Sequence, residues 1–186
     1  MKPSASAILI PADNCEGVLA LVDHAFRSRG FVSFEDPIPA GYPLRRDEWF
    51  DFGVRLQPDA NSVLVLPSDV DAVFRVSVVL SATLGEVPIV AFRRFMGMAP
   101  VLKFYLGGKP KWRDGQDKDH ECKYEVPTTR PSGIVTPEEH GLPGSASDME
   151  RAVGAHLKRY EAARRDPGAG FVWRSYLNRR STLYKG

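Results

Sequence analysis

Two octapeptides 56 residues apart constrain this chain more than any other feature: Ser6-Ala7-Ile8-Leu9-Ile10-Pro11-Ala12-Asp13 and Ser62-Val63-Leu64-Val65-Leu66-Pro67-Ser68-Asp69. Serine, proline and aspartate coincide, and every position between serine and proline is apolar. Such a run, bounded by a residue that cannot extend a hydrogen-bond ladder, reads as a short buried strand. The Asp or Ser that follows can accept hydrogen bonds from the first free N–H groups of a helix. Each copy therefore predicts a strand followed by a helix.

The helical pattern follows both. After the first copy, Asp13 and Glu16 have capping-box spacing, Val18, Leu21, Val22, Ala25 and Phe26 share one face at 3.6-residue period, and Gly30 is the expected stop. Phe31–Phe34 then has strand composition. After the second, Val70, Val73, Phe74, Ser77, Leu80, Ser81 and Leu84 form the stripe, Gly85 ends it, and 87–92 is the next strand. Two copies suggest duplication of a supersecondary unit rather than a solenoid.

Between the units, 35–47 is rich in proline and glycine and reads as a loop, and 49–56 as a strand. Pro100–Leu106 is a further strand, Gly107-Gly108 a two-residue hairpin turn with Trp112 on its return, and 122–126 one more strand. The expectation is an α+β fold: a two-layer α/β sandwich in a ferredoxin-like arrangement of two similar strand–helix–strand units, with a carboxy-terminal helix and tail. The expected boundaries are a core over 1–126, a Pro/Gly/Ser-rich linker or long loop over 127–147, and a basic segment over 148–186. Its helix is expected to start at Ser147 with Glu150 completing a capping box, to carry Met149, Val153, Leu157 and Tyr160 as its stripe, and to run to about Arg165.

Composition bears on setting. Of 186 residues 43% are hydrophobic, enough for a chain of this length to bury a core without a metal or disulfide. The apolar run near the amino terminus is too short for a signal peptide, and no stretch approaches the roughly 18 apolar residues of a membrane span. Only two cysteines occur, Cys15 and Cys122, in no metal-ligand spacing. These features predict a soluble, cytoplasmic protein with no membrane partner and no cofactor.

Nucleotide-binding, nucleophile-elbow and HExxH motifs are missing, and the four histidines fall in unlike contexts, so no catalytic residue is assigned. The one dense polar cluster is 114–121, where Asp114, Asp117, Asp119 and Glu121 are weak candidate ligands for a hard cation and His120 a candidate acid or base. Cys122 stands where an EF-hand loop counted from Asp117 needs glycine, so a solvated acidic turn is the simpler reading.

Charge is divided along the chain. From Arg151 onward nine basic residues face two acidic ones, a balance of +7, which leaves about −5 for the rest of a chain whose net charge is +2. Aromatics lie among those charges, so Trp173, Arg174, Tyr176, Arg179 and Arg180 are the candidate partner-binding residues. Strand–helix–strand units ending in an aromatic hairpin, here Lys103-Phe104-Tyr105-Leu106-Gly107-Gly108, resemble small bacterial proteins, some associated with immunity to toxins. That resemblance covers residues 48–126 and brings no site residue with it.

The functional expectation is a non-catalytic protein-binding module of immunity or assembly type, with a protein partner. The alternatives are a metal-dependent hydrolase using 114–121 and nucleic-acid binding by the basic carboxy-terminal segment. The sequence leaves the oligomeric state open.

Overall fold

A computed structural model describes residues 5–13, 15–35, 52–59, 61–67, 69–115, 126–134, 136–165 and 174–178. The chain forms β1 (Ala5–Pro11), α1 (Cys15–Arg27), β2 (Val32–Glu35), β3 (Phe52–Asp59), β4 (Ser62–Pro67), α2 (Val73–Leu84), β5 (Ile89–Arg94), β6 (Val101–Leu106) and β7 (Lys109–Asp114). A short 3₁₀ turn (Pro137–His140), α3 (Ala146–Arg165) and β8 (Arg174–Asn178) follow. The fold is α+β. Its eight strands make one sheet in the order β2-β8-β3-β4-β1-β5-β6-β7, and every neighbouring pair is antiparallel.

Side chains alternate across a strand, so the sheet has two faces, and over its central strands both are covered. On one, Ile8, Ile10, Val63, Val65, Ile89 and Ala91 pack beneath Val22, Ala25 and Phe26 of α1 and Val73, Val76 and Leu80 of α2. On the other, Ala7, Leu9, Leu64, Val90, Phe92, Leu102 and Phe104 pack beneath Leu142 and Ala146, Met149 and Val153 of α3. The two-layer expectation is corrected to three layers. Strands buried on both sides read as continuous apolar runs, which is why Ala7–Ile10 carries no polar residue.

The same burial corrects the repeat. Both strand–helix–strand units exist, with their helices on one face. The residue match does not carry over, because Ile8 faces the helix pair while Leu64, its match at a spacing of 56, faces α3. A shift of one residue turns every side chain to the opposite face, and two-sided burial hides that shift in the sequence.

The helices end and begin for local reasons. At the end of α1 the amide of Gly30, with φ 83°, bonds to the Arg27 carbonyl at 3.0 Å. Leu21, expected in the buried stripe, is 44% exposed. In α2 the two serines of the stripe are buried and bonded: Ser77 donates to the Val73 carbonyl at 2.7 Å, and Ser81 accepts the Gly108 amide at 3.0 Å. Gly107 and Gly108 have φ of 59° and 76°, the positive pair that a tight hairpin turn with native twist requires.

The capping residues of α3 lie two positions earlier than expected. Ser145 accepts the Asp148 amide at 3.1 Å and donates to its carboxylate at 2.8 Å. Glu150, expected to complete the box, instead forms an ion pair with Arg94 of β5. Within 126–145 Val126, Pro137 and Leu142 are buried while 127–133 and 138–141 are exposed, and Arg130 clamps Glu138 with two hydrogen bonds, at 3.0 and 2.7 Å.

Candidate functional site

The carboxy-terminal candidates divide. Arg174 is exposed, whereas Trp173, Arg179 and Arg180 lie outside the described residues. Tyr176 is fully buried, so its assignment as a partner-facing anchor is corrected: β8 is an interior strand of the protein's own sheet. Its ring lies 5.2 Å from that of Phe26, and its hydroxyl donates to Asp23 Oδ1 at 2.7 Å. Burial, then the adjoining Asp23 carboxylate, pushes the phenol well above its usual range. Asp23 is held in turn by Arg27, whose Nε donates to Oδ2 at 2.7 Å, while another Arg27 nitrogen donates to Ser33 of β2.

The acidic cluster is represented by Asp114 alone, because Asp117, Asp119, His120 and Glu121 lie outside the described residues. Its carboxylate accepts the Ala146 amide at 2.9 Å and so caps the start of α3. Among the described residues no group of three or more His, Cys, Asp or Glu is placed to hold a metal ion.

The densest unassigned chemistry lies at one end of the sheet, where β5 stops, β6 starts, and α2 and α3 both begin. Phe74 in the first turn of α2 is the centre. The ammonium of Lys103 stands 3.9 Å from its ring centroid, and the guanidinium of Arg93 stands 4.6 Å from the same ring and 4.8 Å from that of Phe95. Lys103 and Arg93 are 1% and 4% exposed. A buried cation costs heavily unless something replaces its water, and the negative faces of aromatic rings do part of that here. Asp71, largely exposed, approaches Arg93 at 3.8 Å. The start of α2 adds partial positive charge, with no acidic residue in its first turn but Asp71 just before it, whereas at the start of α3 the carboxylates of Asp114 and Asp148 offset the helix end.

From this end projects the β5–β6 turn. It is closed by the Met98 amide on the Phe95 carbonyl at 3.1 Å, with Gly97 at φ 78°. Met96 and Met98 are 59% and 44% exposed, two of the five large hydrophobics that stand out among the described residues. Thioether side chains are long, unbranched and polarizable, and they adapt to irregular apolar surfaces. The arrangement suits a contact that is apolar at its centre and negative around it. Sequence reasoning passed over it, although Arg93-Arg94-Phe95-Met96-Gly97-Met98 carries the signal: paired cations, an aromatic, and two methionines about a glycine.

A concavity of about 400 Å³ on the other face, beside α3 and the 3₁₀ turn, is lined by Leu9, Ser62, Leu142, Ala152 and His156 among others. At its rim the Arg130 hydrogen bonds hold the Glu138 carboxyl below the usual carboxylate range. No protein-family model matches the chain, and neither does any curated protein or solved structure.

Proposed function

We propose that the protein is a non-catalytic protein-binding module that works, as immunity and assembly proteins do, through a surface, and that it docks its partner on the β5–β6 turn. One observation carries this reading: Met96 and Met98 stand exposed together on a turn rooted in the cations Arg93 and Lys103 and the start of α2. The matching partner presents apolar side chains flanked by carboxylates, since charge complementarity steers encounter and rejects wrong partners. The burial of Tyr176 weighs against base stacking by the carboxy-terminal segment. Two cysteines in the whole chain support a reducing, cytoplasmic setting.

Affinity capture on the immobilised full chain tests it, with Met96→Glu/Met98→Glu as the site variant and Leu21→Glu, on α1 and as exposed as Met98, as control. The expected result is one stoichiometric protein retained by wild type and by Leu21→Glu and lost from the double variant, with retention weakening as salt rises. Equal retention by all three would remove the site. A chain that captures nothing and instead turns over a small molecule would remove the module reading.

We also infer a ferredoxin-like arrangement extended at both edges. What supports it is the order β3-β4-β1-β5 at the centre of the sheet, with α1 following β1, α2 following β4, and both helices on one face. In this reading β3 takes the place of the strand that follows the first helix, and β2 and β8 are added outside it.

A further inference from the structure

Of the four methionines in the chain the described residues include three, and their surroundings differ. Met96 and Met98 are 59% and 44% exposed on the β5–β6 turn, whereas Met149 is 0% exposed, packed between α3 and the sheet with Leu142 and Val153. A thioether that reaches solvent meets peroxides dissolved there, and a buried one meets them only when the protein opens. Oxidant therefore divides these three sulfurs by position.

The turn tolerates that chemistry. Its shape is held by main-chain features, the Met98 amide on the Phe95 carbonyl at 3.1 Å and Gly97 at φ 78°, and neither depends on a methionine side chain. Gly97 and Ala99, exposed beside the two methionines, have little or no side chain, so the apolar character of the tip rests on the two thioethers. A sulfoxide oxygen is polar, bears partial negative charge and only accepts hydrogen bonds. Against apolar partner side chains it would be buried without a donor, and against the carboxylates around them it meets charge of its own sign. Oxidation thus leaves the fold intact and reverses what the turn offers a partner.

We propose, resting on the docking reading, that exposed Met96 and Met98 on the β5–β6 turn are a reversible oxidation site, and that their conversion to methionine sulfoxide by hydrogen peroxide releases the docked partner. In each conversion the sulfur gives up two electrons and takes one oxygen atom from the peroxide, whose other oxygen leaves as water. Return consumes two thiols through a methionine sulfoxide reductase and yields a disulfide and water. Both epimers of the sulfoxide arise, so both types of reductase are needed.

For the test, the full chain is treated with limiting hydrogen peroxide and quenched with catalase before any partner is present. Peptide mass spectrometry reads each methionine, with circular dichroism confirming that the chain stays folded. Met96 and Met98 should oxidise about tenfold or more faster than Met149 in the folded chain, and at similar rates to it in urea. Affinity capture then compares the reduced chain, the oxidised chain, the oxidised chain after both reductases with dithiothreitol, and Met96→Leu/Met98→Leu given the same peroxide. The protein that reduced wild type retains should be retained on the order of tenfold less by the oxidised chain and recovered after reduction. The leucine variant keeps the apolar bulk and both cysteines but lacks the two sulfurs, so it should retain that protein before and after peroxide. Met149 oxidising as fast as Met96 in the folded chain, or oxidised wild type retaining as much as reduced, would overturn the switch while leaving docking in place. Loss of retention by the peroxide-treated leucine variant would move the effect to another residue and overturn the switch as well. If reduced wild type and Met96→Glu/Met98→Glu retain alike, the docking reading itself falls and the switch with it.

Discussion

Replacing Tyr176 by phenylalanine isolates the bond that ties the last strand to the first helix. The ring stays, fully buried against Phe26, and only the hydroxyl that donates to Asp23 at 2.7 Å is lost. A hydrogen bond to a charged group contributes about 1.5–3 kcal/mol, but the Asp23 side chain is 25% exposed and keeps Arg27, so water recovers part of the loss. The expected destabilisation is about 1–2 kcal/mol, a fall of roughly 2–8 °C in Tm for a chain of this length. Tyr176→Ala also empties the ring's space and should cost about 3–5 kcal/mol. Urea unfolding measures both, with an unchanged m-value showing that stability alone has moved. A pH series sharpens the test. The folded protein holds the phenolic proton more tightly than the unfolded chain, so the hydroxyl's contribution is whole below about pH 10, near the ordinary tyrosine value, and is lost as pH rises toward the folded value. Wild type should therefore lose stability above that pH more steeply than Tyr176→Phe. A phenylalanine variant matching wild type in both stability and alkaline slope would refute the reasoning.

Other expectations follow from the same packing. Gly107→Ala should cost about 1–2 kcal/mol for its positive φ alone, while Gly108→Ala should cost more by denaturant titration, since its new Cβ would stand 3.0 Å from Ala82 Cβ. Equal costs at the two sites would mean that the hairpin does not bear on α2. Arg130→Ala removes the clamp on Glu138 and a guanidinium 4.5 Å from the Trp112 ring centroid, with an expected loss of about 0.5–1.5 kcal/mol and a change in Trp112 fluorescence. Because Arg130 holds Glu138 ionised, that clamp persists above the ordinary carboxylate range and weakens as pH falls through the lowered value, so acid should reproduce the fluorescence change in wild type. Truncation after Asp166 deletes an interior strand, and thermal unfolding should show the cooperative transition lost or lowered by tens of degrees. A truncated chain melting like the full one would contradict the place of β8 in the sheet.

The elements that were legible in the sequence are those whose pattern is local. The stripe of α2, the Gly107-Gly108 turn and the Gly30 and Gly85 stops depend on residues within a few positions of one another, and the structure has each of them. β2 and β8 are different. Phe31–Phe34 shows strand composition, but its partner is 140 or so residues away, and nothing in Arg174–Asn178 distinguishes an interior strand from an exposed aromatic arm. The alternation that would have shown it needs a known register, and Tyr176 between Ser175 and Leu177 is compatible with either face. Charge adds to the difficulty: arginines near the carboxy terminus look like a tail built for a partner, and of the candidates among the described residues Arg174 is exposed while Tyr176 is buried against Phe26.

The candidate site was missed for a related reason. Lys103 reads as a polar break in an apolar strand, and Arg93 as an ordinary strand end, because their shared partner, Phe74, comes from a helix that meets them only in the folded sheet. Sequence spacing shows chemistry well when one element carries all of it, as a helical metal motif or a glycine-rich loop does. Here two strands and a helix each supply one group, and the exposed methionines gain their meaning from what lies beneath them. On the docking reading proposed above, placement of those cations also constrains the partner. Being buried, Arg93 and Lys103 act mainly through the field they project around Met96 and Met98, so removing either charge should slow association more than it speeds dissociation. Arg93→Met and Lys103→Met keep the apolar bulk beside Phe74. Binding kinetics on these variants should show a lower association rate that becomes insensitive to salt, with an off-rate near that of wild type. A change confined to the off-rate would mean that the cations touch the partner directly and that the turn opens further than this structure shows.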